Sequence, residues 1–329
     1  MKTLKKRKWC RLLPALTIFC SLPVMATQDW WQTEAERAAG DDLVPLYHKY
    51  CKTGERQFQP ELPANAFYVF DNLIFLGYER WNSWALLNNE QIIIFDAMET
   101  EKEARKYIID GLVSLGLEPS KISHVVIMHG HGDHFGGAAL LQRLFNAEVM
   151  ASEADWQLMD VTRTLKERYP DQEHVIIDGV RIKVPVAGQT VPEKNRVISD
   201  GSSLYTIAGD ILFYLTPGHT AGTLSAILPV TDSNKTYLAG FFGGTGFTAP
   251  GTPLDVFLSS LNRFKSLTAD KEVVVPLSNH PTSDLTGLRA KQLSGRKKNG
   301  PHPFLLGQEG YQRFLSVFSS CLSSYINKE

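Results

Sequence analysis

Met128-His129-Gly130-His131-Gly132-Asp133-His134 is the stretch from which the rest of the chain is read. Three histidines and one aspartate fall within six positions, in a chain with nine histidines in all. Imidazole and carboxylate are the ligands zinc takes where thiolate is missing. The alternation of 129, 131 and 133 suits a chain just leaving a strand. Gly130 and Gly132 remove side chains that would crowd an ion. Polar loop decoration is a poor account of four ligand-type side chains at this density, so the stretch is read as a metal site.

The surroundings fit that reading. His124 to Met128 is a short buried strand, Gly136 to Phe145 a helix and Glu148 to Ala151 another strand. Upstream, Asp29 to Lys52 is rich in helix formers and tryptophan. Ala66 to Tyr78, Ser83 to Leu87 and Gln91 to Ala97 are apolar, aromatic runs of strand type, with Asn88-Asn89 as a hairpin turn. Glu101 to Leu115 carries helical spacing that ends at Gly116. Downstream, short strand-like runs between Val180 and Ala239 precede helices at Leu254 to Leu267, about Ser283 to Leu293 and Gln308 to Ile326. Two β-rich halves with helices at intervals predict two sheets packed face to face with helices outside. Val161 to His174 is a long connection and a candidate active-site loop.

His-x-His-x-Asp-His after a strand resembles the signature of the metallo-β-lactamase superfamily. Two further stretches add to the resemblance: Thr216-Pro217-Gly218-His219-Thr220-Ala221-Gly222, and Ser278-Asn279-His280-Pro281. Asp96, at the end of a strand, resembles the early aspartate of that family. The resemblance implies an α/β (α+β) fold, the four-layer αββα sandwich. It also implies two zinc ions, one held by His129, His131 and His219, the other by Asp133, His134 and His280. The stretch Tyr237 to Gly244 holds no further ligand, which leaves the set found in subclass 3 of the class B enzymes and their relatives. The implied activity is hydrolysis of a carbonyl by a zinc-activated hydroxide, with Asp133 orienting the nucleophile. A β-lactam is the first substrate expected, and a lactone or thioester the alternative. One departure stands out: Phe241 occupies a place near which those β-lactamases carry a serine that receives the substrate carboxylate. Phe241 and Trp84 are therefore taken as substrate contacts, Phe241 as an apolar wall. Trp81 and Trp84 lie near a turn between early strands, where either a substrate wall or plain packing explains them. His124 reads as a core residue, and His48, His174 and His302 lack ligand-spaced neighbours.

Bulk properties bound the function. Lys and Arg number 34 against 35 Asp and Glu, a net charge of −1. So balanced a chain argues for a small-molecule substrate and against a nucleic-acid partner. Lys2 to Arg11 is basic, Leu12 to Met25 is short and apolar, and Val24-Met25-Ala26 offers a cleavage site. That is the layout of a signal peptide over 1–26, leaving 27–329 as the hydrolase domain, periplasmic or secreted. The apolar run is broken by Pro14 and Pro23 and is too short to span about 30 Å of hydrocarbon, so no stable membrane insertion is expected after its removal. Of four cysteines, Cys51 and Cys321 remain in that domain. They either pair with each other or lie as two buried thiols.

Overall fold

The computed structural model describes residues 27–52, 62–63, 65–177, 180–247, 251–298 and 300–327. The signal peptide read over 1–26 lies outside the described residues. Two helices lead, α1 (Gln28–Ala39) and α2 (Val44–Cys51). Four antiparallel strands follow: β1 (Phe67–Phe70), β2 (Leu73–Gly77), β3 (Asn82–Asn88) and β4 (Gln91–Phe95). Next comes α3 (Glu101–Glu103), continued by a π-helical stretch Ala104–Ile109 and by α4 (Asp110–Ser114). Beyond it lie β5 (Ile122–Val126), α5 (Gly132–Phe135), α6 (Ala138–Phe145), β6 (Glu148–Ala151) and α7 (Glu153–Arg168). A separate hairpin joins β7 (His174–Ile177) to β8 (Val180–Lys183). The second half holds β9 (Arg196–Val197), β10 (Ser203–Leu204), β11 (Ile211–Leu215), β12 (Leu224–Asp232) and β13 (Lys235–Phe242). It closes with α8 (Leu254–Asp270), β14 (Val275–Leu277), α9 (Thr286–Ser294) and α10 (Gly307–Ile326).

The strands form a seven-stranded sheet, ordered β1-β2-β3-β4-β5-β6-β9, and a five-stranded sheet, ordered β10-β11-β12-β13-β14. The strands of the large sheet read as near-continuous apolar runs because both of its faces are covered. In β4, Ile92 and Ile94 pack under the helix layer, whereas Ile93 and Phe95 point at the other sheet. β5 and the residues after it repeat this, with Val125 and Ile127 outward and Val126 and Met128 inward. On the five-stranded sheet, Phe213, Ala226 and Ala239 face inward, and its outer face lies under α1, α2, α8 and α10. Three apolar cores between four layers give the expected αββα sandwich. Each fully buried large apolar side chain contributes roughly 1.5–3 kcal/mol.

Three expectations are corrected. Val161–Arg168 is not a loop but the second half of α7, a 16-residue helix whose Ser152 cap accepts a hydrogen bond from the Asp155 N–H. Phe241 is fully buried, alternating with Ala239 into the core between the sheets and packing 6.0 Å, ring to ring, from Phe95. Trp84 is equally buried on β3, and its indole N–H donates to the Ser278 carbonyl at 2.8 Å. Neither side chain meets solvent, so neither is a substrate contact. Of the two tryptophans it is Trp81 that lines a cavity.

Cys51 and Cys321 form a disulfide, with Cα atoms 4.8 Å apart. It ties the end of α2 to α10 and settles which of the two cysteine readings holds in this structure.

Candidate metal centre

The centre lies at one edge of the sandwich, where the loop leaving β5 meets the loops after β11, β13 and β14. His131 is the N-cap of α5, so the first turn of that helix carries Asp133 and His134 into the site. The glycines of the motif are fixed by packing rather than by room for an ion. A Cβ on Gly132 would lie 1.7 Å from the Gln189 side chain, and one on Gly130 would press on Asp155.

Hydrogen bonds dictate which ring nitrogens are free. His129 Nδ1–H donates to the Gly243 carbonyl (2.8 Å) and His219 Nδ1–H to the Gly246 carbonyl (2.6 Å). A carbonyl only accepts, so in the neutral rings both protons sit on Nδ1 and both Nε2 atoms present bare lone pairs. Those two Nε2 atoms face each other at 3.1 Å, where neither can donate to the other. His131 Nδ1 lies 3.1 Å from His219 Nε2. Such a convergence of acceptors is repulsive unless a cation lies among them. The donor set therefore fits a metal ion, and His129, His131 and His219 bring their ligand atoms within 4.8 Å of one another.

The neighbouring group is charged. Asp133 Oδ2 lies 3.2 Å from His134 Nε2 and 3.9 Å from His280 Nε2. His280 Nδ1–H donates to the Arg80 carbonyl (2.8 Å), which leaves its Nε2 bare and turned to the carboxylate. His134 Nδ1 is held by Asp96 Oδ2 at 2.8 Å, while its buried Nε2 meets Asp133 as an ion-pair contact without hydrogen-bond geometry. His129, Asp133 and His134 also bring ligand atoms within 4.8 Å of one another, so His129 stands beside both groups.

Burial pushes His219 down to about 3 and His280 to about 4, so both stay neutral. Burial also disfavours charge on His134, but Asp133 and Asp96 outweigh it and push the ring up to about 10. Asp133 is partly buried, which works against its charge, yet His134 holds it well below the usual carboxylate range.

Asp96 is the hub beneath the site, as its family resemblance suggested. It is fully buried at φ +59, a left-handed conformation that non-glycine residues seldom adopt. That turn aims Oδ1 at the Met128 N–H (2.7 Å) and Oδ2 at His134 and at Asn279 Nδ2 (3.0 Å). Asn279 was not singled out in the sequence, although it stands next to His280. Its amide N–H also donates to the Gly243 carbonyl that orients His129. Asp155 was missed as well; it accepts from the Thr220 hydroxyl at 3.1 Å and so links α7 to the His219 loop. Gly243 and Gly244 leave room for Leu224 and His219, and the carbonyls of Gly243 and Gly246 set the two rings.

The remaining histidines stay outside. His124 bonds to Ser123 and lies 3.4 Å from Glu148. His302 donates to the Val69 carbonyl and stacks on Phe70. His48 lies on α2, and His174 begins β7. Beside the centre opens a cavity of about 710 Å³, lined by His131, Asp133, Arg80 and Trp81 on one side and by Leu158 and Val161 of α7 on another.

The chain is similar to known proteins to different extents. The chain is 32% identical over 136 residues to the uncharacterized protein YobT of Bacillus subtilis, covering 41% of this chain and 51% of that one. It is 28% identical over 210 residues to hydroxyacylglutathione hydrolase of a Synechococcus species, covering 62% and 63%. It is 27% identical over 98 residues to exodeoxyribonuclease WalJ of Streptococcus pneumoniae, covering 30% and 35%. In each case the match spans less than two thirds of the relative's own length. Among solved structures, the FEZ-1 metallo-β-lactamase from Legionella gormanii shares the fold with a TM-score of 0.65, at 19% identity over 82% of this chain and 98% of that one. The profile of the Metallo-beta-lactamase superfamily matches residues 80–275, ending just short of His280. With that match over more than half of its length, the chain belongs to the metallo-β-lactamase superfamily.

Proposed function

We propose that the protein is an exported two-zinc hydrolase that cleaves the bond between a carbonyl carbon and its leaving nitrogen, oxygen or sulfur, with a β-lactam as the leading substrate. The observation that carries this reading is the pair of bare imidazole nitrogens 3.1 Å apart, with a second, carboxylate-bearing group of ligands beside them. Nitrogen and carboxylate donors without thiolate suit zinc. Bound there, zinc would bring the pKa of water towards neutrality and draw charge from a carbonyl oxygen. The chain's own residues do the rest. Gly243, Gly246 and Arg80 hold three rings through their carbonyls, which fixes each tautomer. Asp133, partly exposed, offers a carboxylate oxygen at the cavity to orient a water. Trp81 and α7 wall the cavity and limit access of bulk water.

Burial of Phe241 takes away the apolar wall, because a side chain in the core cannot block a substrate carboxylate, and leaves only the missing serine as the departure at this position. A thioester is the second reading, favoured by the similarity to hydroxyacylglutathione hydrolase. Export is supported by the Cys51–Cys321 disulfide, since such bonds persist in oxidising compartments.

Purified protein prepared without added metal should hold about two zinc ions by elemental analysis, with the ligand count as the ground. A panel of penicillins, carbapenems, lactones, thioesters and phosphodiesters should show carbonyl hydrolysis. Efficient phosphodiester cleavage with no carbonyl hydrolysis would sink the reading. A thiol count on unreduced, denatured protein should find neither Cys51 nor Cys321 free.

A further inference from the structure

Asp155 stands in the first turn of α7, and no step proposed above uses it. A carboxylate there steadies a helix end by itself, but the exposed Glu153 already serves that turn. Asp155 differs in being only 1% exposed. Its Oδ2 accepts from the hydroxyl of Thr220, the residue after His219, at 3.1 Å. Thr220 is tied in turn to the Thr223 hydroxyl, through its backbone N–H (2.9 Å) and its own hydroxyl (2.7 Å), which fixes the turn beyond His219. Gly222 belongs to the same turn, and a Cβ on it would lie 2.1 Å from Ser152 Oγ and 2.7 Å from Asp155 Cγ. Gly130, between His129 and His131, packs on Asp155 from the other loop, where an added Cβ would lie 3.2 Å from Asp155 Cβ. One buried side chain thus touches both loops that carry the three converging imidazoles.

Its charge needs an account as well. Burial pushes the carboxyl up to about 6, against the Thr220 hydroxyl, so at neutral pH the group is still a carboxylate. Oδ1 has no hydrogen bond of its own, although the N–H groups of Gly130 and Gly222 lie near enough to favour the charge. The other charge that acts on it, that of Asp96, opposes ionisation. A buried carboxylate without a cation is costly. Asparagine would fill the same space and accept from Thr220 without that cost. What lies on the two loops Asp155 holds is a set of three imidazoles that burial keeps neutral, with lone pairs suited to a cation. We propose that Asp155 is a positioning residue of the three-imidazole half: it locks the His129–His131 loop against the His219 loop, and its charge favours the cation those rings would hold. The inference rests on the metal-binding reading and gives this half a buried carboxylate of its own, as Asp96 serves the other.

The test reads zinc affinity by competition with a chromogenic chelator. It is made in the full chain carrying His280→Ala, so that a single ion among the three imidazoles is measured. Asp155→Asn should weaken that ion by about 10- to 100-fold, the usual cost of losing a supporting carboxylate. Asp96→Asn in the same background should weaken it less. With His280 intact, Asp155→Asn should leave the carboxylate-side ion at its wild-type affinity. Thr220→Val keeps the size of the side chain and removes only its hydroxyl. It should act in the same direction by a smaller factor, and it carries the test if Asp155→Asn does not fold. Cobalt(II) in place of zinc adds a spectroscopic check, because a shift of its visible bands reports moved ligands and a loss of fold stability alone does not produce one. If both variants lower Tm but leave the affinity and the cobalt bands unchanged, Asp155 only packs α7 and the proposal is wrong. Equal weakening of both ions, or no ion at all in His280→Ala alone, would overturn it too. No metal in the wild type would defeat the metal-binding reading itself, a result distinct from an ion that binds and ignores Asp155.

Discussion

The two halves of the metal centre are built from opposite electrostatics. On one side, His129, His131 and His219 converge as neutral rings, two of them fixed by backbone carbonyls and kept uncharged by burial. On the other, Asp133, His134 and Asp96 form a chain of alternating charge, with His280 at its end. The first side is held open by lone pairs that repel. The second is closed on itself by an ion pair that an incoming cation must break. A metal on the first side displaces nothing, whereas one on the second must displace a proton from His134.

The largest test of that contrast is to remove one ligand from each side. His219→Ala should lose about one equivalent of metal and cut turnover by roughly 10²- to 10³-fold or more, the cost of losing a group that stabilises developing charge. His280→Ala should also lose one equivalent but keep the ion among the three imidazoles. Metal analysis beside steady-state kinetics checks both. If each variant loses all of its metal, the two halves are one site and the contrast fails.

The boundary of the centre is tested through Phe241. Its burial against Phe95 makes Phe241→Ser a core deletion, with about 3–5 kcal/mol lost on the scale of Phe→Ala changes. Denaturant unfolding should show that loss. The relative rates on different β-lactams should stay as in the wild type, and a gain in β-lactam preference would restore the wall that the sequence suggested.

Asp96→Asn sharpens the contrast from beneath. Asp96 orients His134 directly but reaches His129 indirectly, through the adjacent Met128 N–H and through Asn279 and the Gly243 carbonyl. Metal affinity on the carboxylate side should fall by about 10- to 100-fold, the usual cost of losing such a partner, with less change on the other side. Competition with a chromogenic chelator separates the two affinities. Equal weakening would mean that Asp96 supports the centre as a unit.

These contrasts were unevenly legible. The ligands could be read because their chemistry is carried by residue type and spacing. The layers could be read because Ile92 to Phe95 and Val125 to Met128 are apolar on both faces. The same alternation places Ala239 and Phe241 on one face, and Trp84 and Leu86 on another, which was the signal that both aromatics belong to the core. Asn279 and Asp155 were not legible, since an amide or carboxylate acts here only through contacts between distant segments. α7 was missed because its polar surface hides the helical period, and Ser152 as its cap was the one local clue. The disulfide needed geometry that no spacing supplies.

Proton release measures the contrast without mutation. His134 is raised from 6.5 to about 10, so in the metal-free protein it is protonated at neutral pH. That raised value stabilises the metal-free fold in full below about pH 6.5, and the contribution is lost as pH rises through about 10. Ligation needs the neutral ring, so the ion on this side should release about one proton at pH 7. Its affinity should then fall about tenfold for each unit that pH drops. His219, lowered to about 3, has no proton to give up in that range. Calorimetry in buffers of different ionisation enthalpy should therefore find one ion coupled to a proton and the other uncoupled. The same slope for both would erase the difference between the halves.

The smallest effect is expected at His124, on the strand that delivers the motif five positions later. A sequence reader could add it to the cluster, since it lies on the strand that leads into the loop carrying His129. Its neighbours lead elsewhere: Ser123 Oγ lies 2.8 Å from its Nδ1, and Glu148 on the adjacent strand lies 3.4 Å from its Nε2. Burial lowers its pKa although Glu148 works the other way, so at neutral pH the 3.4 Å approach to Glu148 is a polar contact between strands rather than a full ion pair. A half-exposed contact of this kind is worth about 1 kcal/mol at most. His124→Ala should keep the full metal content, keep turnover within about twofold and lower stability by no more than that. Loss of metal in His124→Ala as complete as in His131→Ala would mean that the strand positions ligands through His124, and the separation drawn between the metal centre and the sheet behind it would be wrong.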